Sequence, residues 1–336
     1  MTYTDNEMCT ILLSSYIGLS EGGEVKPLSL GEWNKFVDVL VANKLEPSIA
    51  YKDELTTLKD VGYDDVFIER IKTLAGRGAK VAFELEEYEI KGINVITFLD
   101  KNYPKLLRRE LKNKKPPVLF YAGDILLSNK VGIGIVGARN VTGEGVQFTS
   151  DIVEKAVNEK MVIYSGGAKG VDVTAQTVAL NNGGAVIAYI ADSLASKIKK
   201  KDITQYVADG RLLLVSDLKP DVGFSVGRAM NRNKFIYASA MGTFVVESDY
   251  NKGGTWTGAM EAIKNKWGNV FVFNNSFEGN RKLIEAGGNA YKITDGKLTD
   301  VIMKPKEKLE NQRIANVNSN KDEYRQMTLT DFLNSN

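Results

Sequence analysis

The segment MVIYSGGAKGVD, Met161–Asp172, carries an apolar run into a cluster of glycines, a lysine and an acid. Met161, Val162 and Ile163 read as the end of a buried strand, and the residues after Asp172 are amphipathic, so the glycines occupy a strand-to-helix turn. Glycine lacks a Cβ and tolerates positive φ, so such a turn can aim backbone N–H groups at an anion near a helix N-terminus. The phosphate loop of nucleotide hydrolases is excluded, because Lys169 is followed by Gly170 and no metal-binding hydroxyl comes next. The dinucleotide fingerprint G-x-G-x-x-G is not met either. Close packing of strand on helix also accounts for glycine here, so the turn must be read with its neighbours.

Those neighbours repeat its design. From Val131 onward the apolar runs VGIGIVG, MVIYSG, AVIAYI, RLLLVS, GTFVVES and NVFVF alternate with helical stretches. Strands are expected near Ile133, Ile163, Ile187, Leu213, Val245 and Val272. This alternation predicts an α/β fold built on a mostly parallel sheet, with ligands at the carboxyl ends of its strands. Upstream, residues 1–91 carry apolar residues at helical spacing, among them Ile11, Leu12, Leu13, Trp33, Phe36, Val37, Leu40, Leu55, Leu58, Ile68, Ile71 and Leu74. They predict a small helical domain. Ser29 with Glu32 has the spacing of a capping box. Leu58–Tyr63 reads as a helix–helix turn and also resembles the hairpin between paired DNA-contacting helices. Ile93–Phe98 and Val118–Tyr121 are expected to be extended.

Composition removes several chemistries. The chain of 336 residues contains no histidine and a single cysteine, Cys9. Histidine-based triads, imidazole metal sites, cysteine-cluster metal sites and internal disulfides are therefore excluded, and Cys9 is expected to be a buried thiol. No catalytic residue, metal or cofactor is expected. The net charge is +2, so any nucleic-acid surface must be a local patch. No apolar run approaches the roughly 18 residues that span a bilayer, and the N-terminus lacks the basic flank of a signal peptide. A cytoplasmic location without membrane contact is expected.

The strand ends supply candidates for such a patch. After the first strand, Gly137 permits a turn and Arg139 offers a fixed guanidinium fork. After the second, Ser165 and the N–H groups of Gly166, Gly167 and Gly170 can line an anion site, Lys169 adds charge, and Asp172 can cap the helix. GRAMNRNKFI offers Arg228, Arg232, Asn233 and Lys234, and the turn at Gly253, Gly254 and Thr255 follows the fifth strand. Together these loops would converge on one rim suited to a polyanion or nucleotide.

IVGARN, SGGAKGVD, MNRNKFI, GGTWTGA and EGNRKLIEAGGNAY, in this order, resemble the DNA-processing protein A (DprA or Smf) family. The N-terminal helices and the YPKLLR…PPVLFYAGD connector are similar to it too, so the resemblance covers roughly Met1 to Ile293. It implies a Rossmann-like sheet with helices on both faces over residues 92–300, after a helical domain of SAM or helix-hairpin-helix type. It also implies a homodimer that binds single-stranded DNA and loads a RecA-type recombinase. Arg139 and Lys169 then match phosphate-holding cations, and Arg232, Asn233 and Lys234 fall on the family's Arg-Asn-Arg segment, with lysine in the last place. Further departures are Glu144-Gly145 for a tyrosine-glycine pair, a missing proline before Arg232, Gly258 for a threonine, and no C-terminal winged helix. The wider superfamily holds open a nucleotide-sensing domain and a Lonely Guy-like phosphoribohydrolase, although Glu261 is displaced from the glutamate position of that enzyme.

Residues 301–325 are polar and charged without apolar periodicity, and a disordered linker is expected. Residues 326–333, QMTLTDFL, resemble the peptide with which replication proteins bind a sliding clamp, with Gln326, Leu329, Phe332 and Leu333 as its anchors.

Overall fold

The computed structural model describes residues 2–20, 22–51 and 55–303, so the expected linker beyond 303 and the clamp-binding peptide lie outside the described residues. Contacts divide the chain into two compact units. Each is described by itself.

The first unit takes in Met1–Tyr103 and Asn113–Phe120. Its helices are α1 (Asp5–Ser14), α2 (Leu30–Ala42), α3 (Leu55–Asp60), α4 (Asp65–Ala75) and α5 (Gly78–Ile90). Ile11, Leu12, Leu13, Trp33, Phe36, Leu40, Leu58, Ile71 and Leu74 are buried together, as the helical periodicity requires. The capping box on α2 forms as spelled: the Ser29 N–H donates to Glu32 Oε2 at 2.8 Å, and the Glu32 N–H donates to Ser29 Oγ at 3.3 Å. The turn between α3 and α4 passes through Gly62 at φ +97°. Cys9 is buried, its Sγ donating to Pro47 O at 2.7 Å, and burial pushes the thiol pKa far above its ordinary value. Strand β1 (Asn94–Thr97) neighbours β2 (Val118–Ala122), whose last residues pass into the second unit.

The second unit begins with α6 (Lys105–Leu111) and contains β3 (Gly132–Val136), α7 (Gly143–Asn158), β4 (Val162–Ser165), α8 (Val171–Asn181) and β5 (Val186–Tyr189). It continues through α9 (Leu194–Lys197), α10 (Lys201–Ala208), β6 (Leu212–Ser216), α11 (Val226–Ser239), β7 (Gly242–Val245), α12 (Gly253–Asn265), β8 (Asn269–Phe273), α13 (Glu278–Glu285) and β9 (Asn289–Tyr291). Each of the six sequence-read strands is present. Nearly every residue of β3 to β8 is buried, which is why they read as unbroken apolar runs rather than alternating ones.

The strands lie in the order β6-β5-β4-β3-β7-β8-β9, and every pairing in that series is parallel. The chain winds outward from β3 through β4, β5 and β6, then crosses back to β7 and winds the other way. Right-handed crossovers place α7 and α8 on one face and α11, α12 and α13 on the other, and α7 packs on α8 as α11 packs on α12. The order reverses between β3 and β7. Their C-terminal loops diverge there and leave a crevice, the usual ligand position in a doubly wound sheet. Among the described residues, no helix is long and apolar enough to cross a membrane.

Candidate nucleic-acid interface

Two cavities open at the C-terminal edge of the second unit's sheet. The larger, about 510 Å³, lies at the β3–β7 switch point and is lined by Gly137, Arg139, Asp172, Arg232, Asn233, Glu247, Asp249, Gly253, Gly254 and Thr255, among others. The smaller, about 320 Å³, is an open trough between Arg139, Lys169, Lys197 and Phe224, with Gly166, Gly167 and Arg232 also contributing. Arg139 and Arg232 belong to both.

The loops that form these cavities interlock through glycine. Gly170 has φ +81°, and a Cβ there would run into the carbonyl oxygens of Ala138 and Arg139. The turn after β4 therefore presses directly on the turn after β3, and Val171 N donates to Ala138 O at 3.3 Å. On the other side, Thr255 Oγ1 donates to Gly137 O at 2.9 Å and Asn233 Nδ2 donates to Gly254 O at 3.1 Å. Thr255 and Asn233 thus fasten the first turn of α12 to β3 and α11.

Asp172 departs from the expected helix cap. The N-cap of α8 is Gly170, without a side-chain bond, and Asp172 lies inside the first turn. Its carboxylate reaches back into the glycine loop, where Oδ2 accepts from the N–H of Gly166 at 3.0 Å and of Ala168 at 3.4 Å. An internal anion thereby occupies part of the backbone cradle that the sequence reading offered to a phosphate.

Arg232 lies beneath that loop, 4% exposed, with Nη1 bonded to Tyr189 O and the guanidinium against Gly166. Burial pushes the Asp172 carboxyl upward and the Arg232 guanidinium downward, and the field of each partner opposes the shift in the other. Arg232 Nε and the hydroxyl of Tyr237, both buried and both in residues lining the larger cavity, have no hydrogen-bond partner among the described residues. Ser165 Oγ is buried and unpartnered too, and its residue lines neither cavity.

Arg139 and Lys169 are both exposed on the rim, and the larger cavity adds an exposed cation, Lys252, and an exposed acid, Asp249. Arg139 Cζ lies 5.8 Å from the ring centre of Phe224. Two expected residues are placed elsewhere. Arg228 Nη1 donates to Gly223 O at 2.8 Å near the start of α11, outside both cavities. Lys234, also on α11, bonds Asn231 Oδ1 through its Nζ at 2.7 Å and lies outside both cavities.

Several residues at these cavities escaped the sequence reading, Lys252 and Asp249 among them. Glu247, 1% exposed at the end of β7, accepts from the Thr142 N–H at 3.1 Å and from its hydroxyl, joining the start of α7 to the far side of the switch point. Its place directly after VV in a strand-end ES pair was a legible signal. Lys197 and Phe224 come from the segments after β5 and β6, and only the fold brings them together.

The sequence profile of the DNA recombination-mediator protein A family matches residues 94–302. DNA processing protein DprA of Bacillus subtilis (strain 168) is 30% identical over 214 residues, 61% of this chain and 70% of that one. DprA of Streptococcus pneumoniae (strain ATCC BAA-255 / R6) is 31% identical over 144 residues, 42% of this chain and half of that one. Among solved structures, Streptococcus pneumoniae DprA superimposes with a TM-score of 0.64 at 23% identity, covering 87% of this chain and 95% of that one. DNA processing protein A from Helicobacter pylori, described for its single-stranded DNA binding mode, gives 0.51 at 24% identity over 64% and 96%. At these identities the two structures show a shared fold.

Proposed function

Because the chain belongs to the DNA recombination-mediator protein A family, we propose that it is a non-catalytic protein that binds single-stranded DNA at the strand-end rim and loads a RecA-type recombinase onto it. The observation that carries this reading is the trough itself. Arg139 and Lys169 stand exposed on one glycine-floored groove, having come from successive parallel strands. Cations along an open groove suit a phosphate backbone, because a strand needs charge spread along its path rather than an enclosed pocket. The family's homodimer is part of the same proposal, since a mediator must place several protomers along one strand. Docking of Gln326, Leu329, Phe332 and Leu333 on a sliding clamp would bring the DNA-binding body to replication or repair sites.

A small-nucleotide ligand is favoured by one observation, the larger cavity at the switch point, whose volume of about 510 Å³ suits a single nucleotide. Glu261 lies on α12 and lines neither cavity, which weighs against the phosphoribohydrolase. The deciding experiment compares binding of a labelled oligodeoxynucleotide with binding of nucleoside phosphates, in the wild type and in Arg139→Ala and Lys169→Ala. The DNA reading expects oligonucleotide binding that both substitutions weaken. Tight nucleotide binding without oligonucleotide binding would replace it by the sensor reading, and release of free base by the hydrolase reading. A monomer in light scattering at all working concentrations would remove the dimer.

A further inference from the structure

The trough has two features that phosphate binding at Arg139 and Lys169 leaves unused. Phe224 is 55% exposed and lines it, an aromatic ring left in water beside a guanidinium. Lys197, at the end of α9, lines the same trough, with Nζ 3.3 Å from Asp192 Oδ2. That ion pair is partly exposed, at 23% and 38% for the two side chains. Asp192 lines the trough as well, and pairs of this kind are weakly held, so an incoming phosphate can draw the lysine from it without breaking a strong contact.

An aromatic face and several cations sharing one open groove are the two components that sequence-tolerant single-strand binding requires. The ring stacks a base, and the charges follow the backbone. A strand passing through the trough would meet Lys197 as well as Arg139 and Lys169. We propose that a single DNA strand runs through this trough, stacking one base on Phe224 and placing one phosphate on Lys197, in addition to its contacts with Arg139 and Lys169. The inference rests on the DNA-binding reading above and adds to it a path and a base contact. Because every base has a π face, the contact is indifferent to sequence and sensitive to loss of a base.

Two substitutions separate the roles. In the full chain, titrated with a labelled oligodeoxythymidylate at several salt concentrations, Phe224→Ala is expected to weaken binding roughly five- to 150-fold without changing the salt dependence. Phe224→Trp should restore it. Lys197→Gln is expected to make the slope of log affinity against log salt shallower by about 0.7, the loss of one phosphate contact. An oligonucleotide carrying 2-aminopurine should lose fluorescence on binding the wild type by stacking, and less so on binding Phe224→Ala. If Phe224→Ala and Lys197→Gln both bind like the wild type while Arg139→Ala loses affinity, the proposed path is overturned and the DNA-binding reading stands. A wild type that ignores the oligonucleotide overturns both.

Discussion

The guanidinium of Arg232 lies against the α-carbon of Gly166, in the space that any side chain at that position would fill. Arg232 is thereby held as part of the floor under the glycine loop, and the loop keeps its shape because the arginine supports it.

The Gly166→Ala variant tests this contact. Its added methyl must displace a buried guanidinium that is bonded to Tyr189 O, and the overpacking should cost about 1–3 kcal/mol in urea unfolding. Gly143→Ala is the control. Nothing lies within 4 Å of its added Cβ and its φ is not positive, so stability should stay within about 0.5 kcal/mol of the wild type. Equal unfolding curves for the two variants would show that the contact at Gly166 relaxes freely.

Asp172 and Arg232 should behave as a coupled buried pair. Arg232→Met removes the largest field that opposes the burial of the Asp172 carboxylate and should lower the stability of the fold. Adding Asp172→Asn removes the stranded charge, so the double variant should be more stable than the sum of the two single changes predicts. Additive losses in a double-mutant cycle of unfolding free energies would mean that the charges do not interact.

These two residues also mark where sequence reading ended. The strands around Ile133, Ile163, Ile187, Leu213, Val245 and Val272 were legible because a parallel sheet buried on both faces must be apolar throughout. The helix start at Ser29 was legible because its cap is written within four residues. The burial of Arg232 was not, since an arginine in MNRNKF reads as a cation offered to phosphate, and only the register of α11 turns it inward while placing Lys234 outside both cavities. Asp172 read as a cap because its fold back onto Gly166 and Ala168 depends on backbone dihedrals that spacing does not encode. Lys197 and Phe224 are 27 positions apart, and their shared groove is a product of sheet order alone.

The first unit should show an acid-sensitive contact at Glu32. Its carboxylate accepts from Arg70 Nη1 at 2.7 Å and from the Ser29 N–H, and these bonds, the arginine first, hold its pKa at about 2. An unfolded glutamate titrates near about 4.3. The folded chain therefore favours the charged form, and the resulting stability is present above about 4.3 and lost as the pH falls toward 2. The side chain is 41% exposed, so solvent screens the contact and the effect is modest. Glu32→Gln should be less stable than the wild type near neutral pH, and the gap should close across that acid range. A gap that is constant with pH would assign the loss to packing.

A peptide spanning Gln326 to Leu333 should bind the sliding clamp from the same source with roughly micromolar affinity, with Leu329, Phe332 and Leu333 filling an apolar pocket. Calorimetry should show the heat disappear on changing Phe332 and Leu333 to alanine. No heat from the parent peptide would retire the clamp as a partner.

The central claim is that phosphates are held at Arg139 and Lys169, and the salt dependence of oligonucleotide affinity tests it most directly. The account predicts that affinity falls steeply with salt in the wild type, and that Arg139→Ala and Lys169→Ala each bind more weakly with a slope shallower by about 0.7. Wild-type strength and wild-type slope in both variants would contradict it.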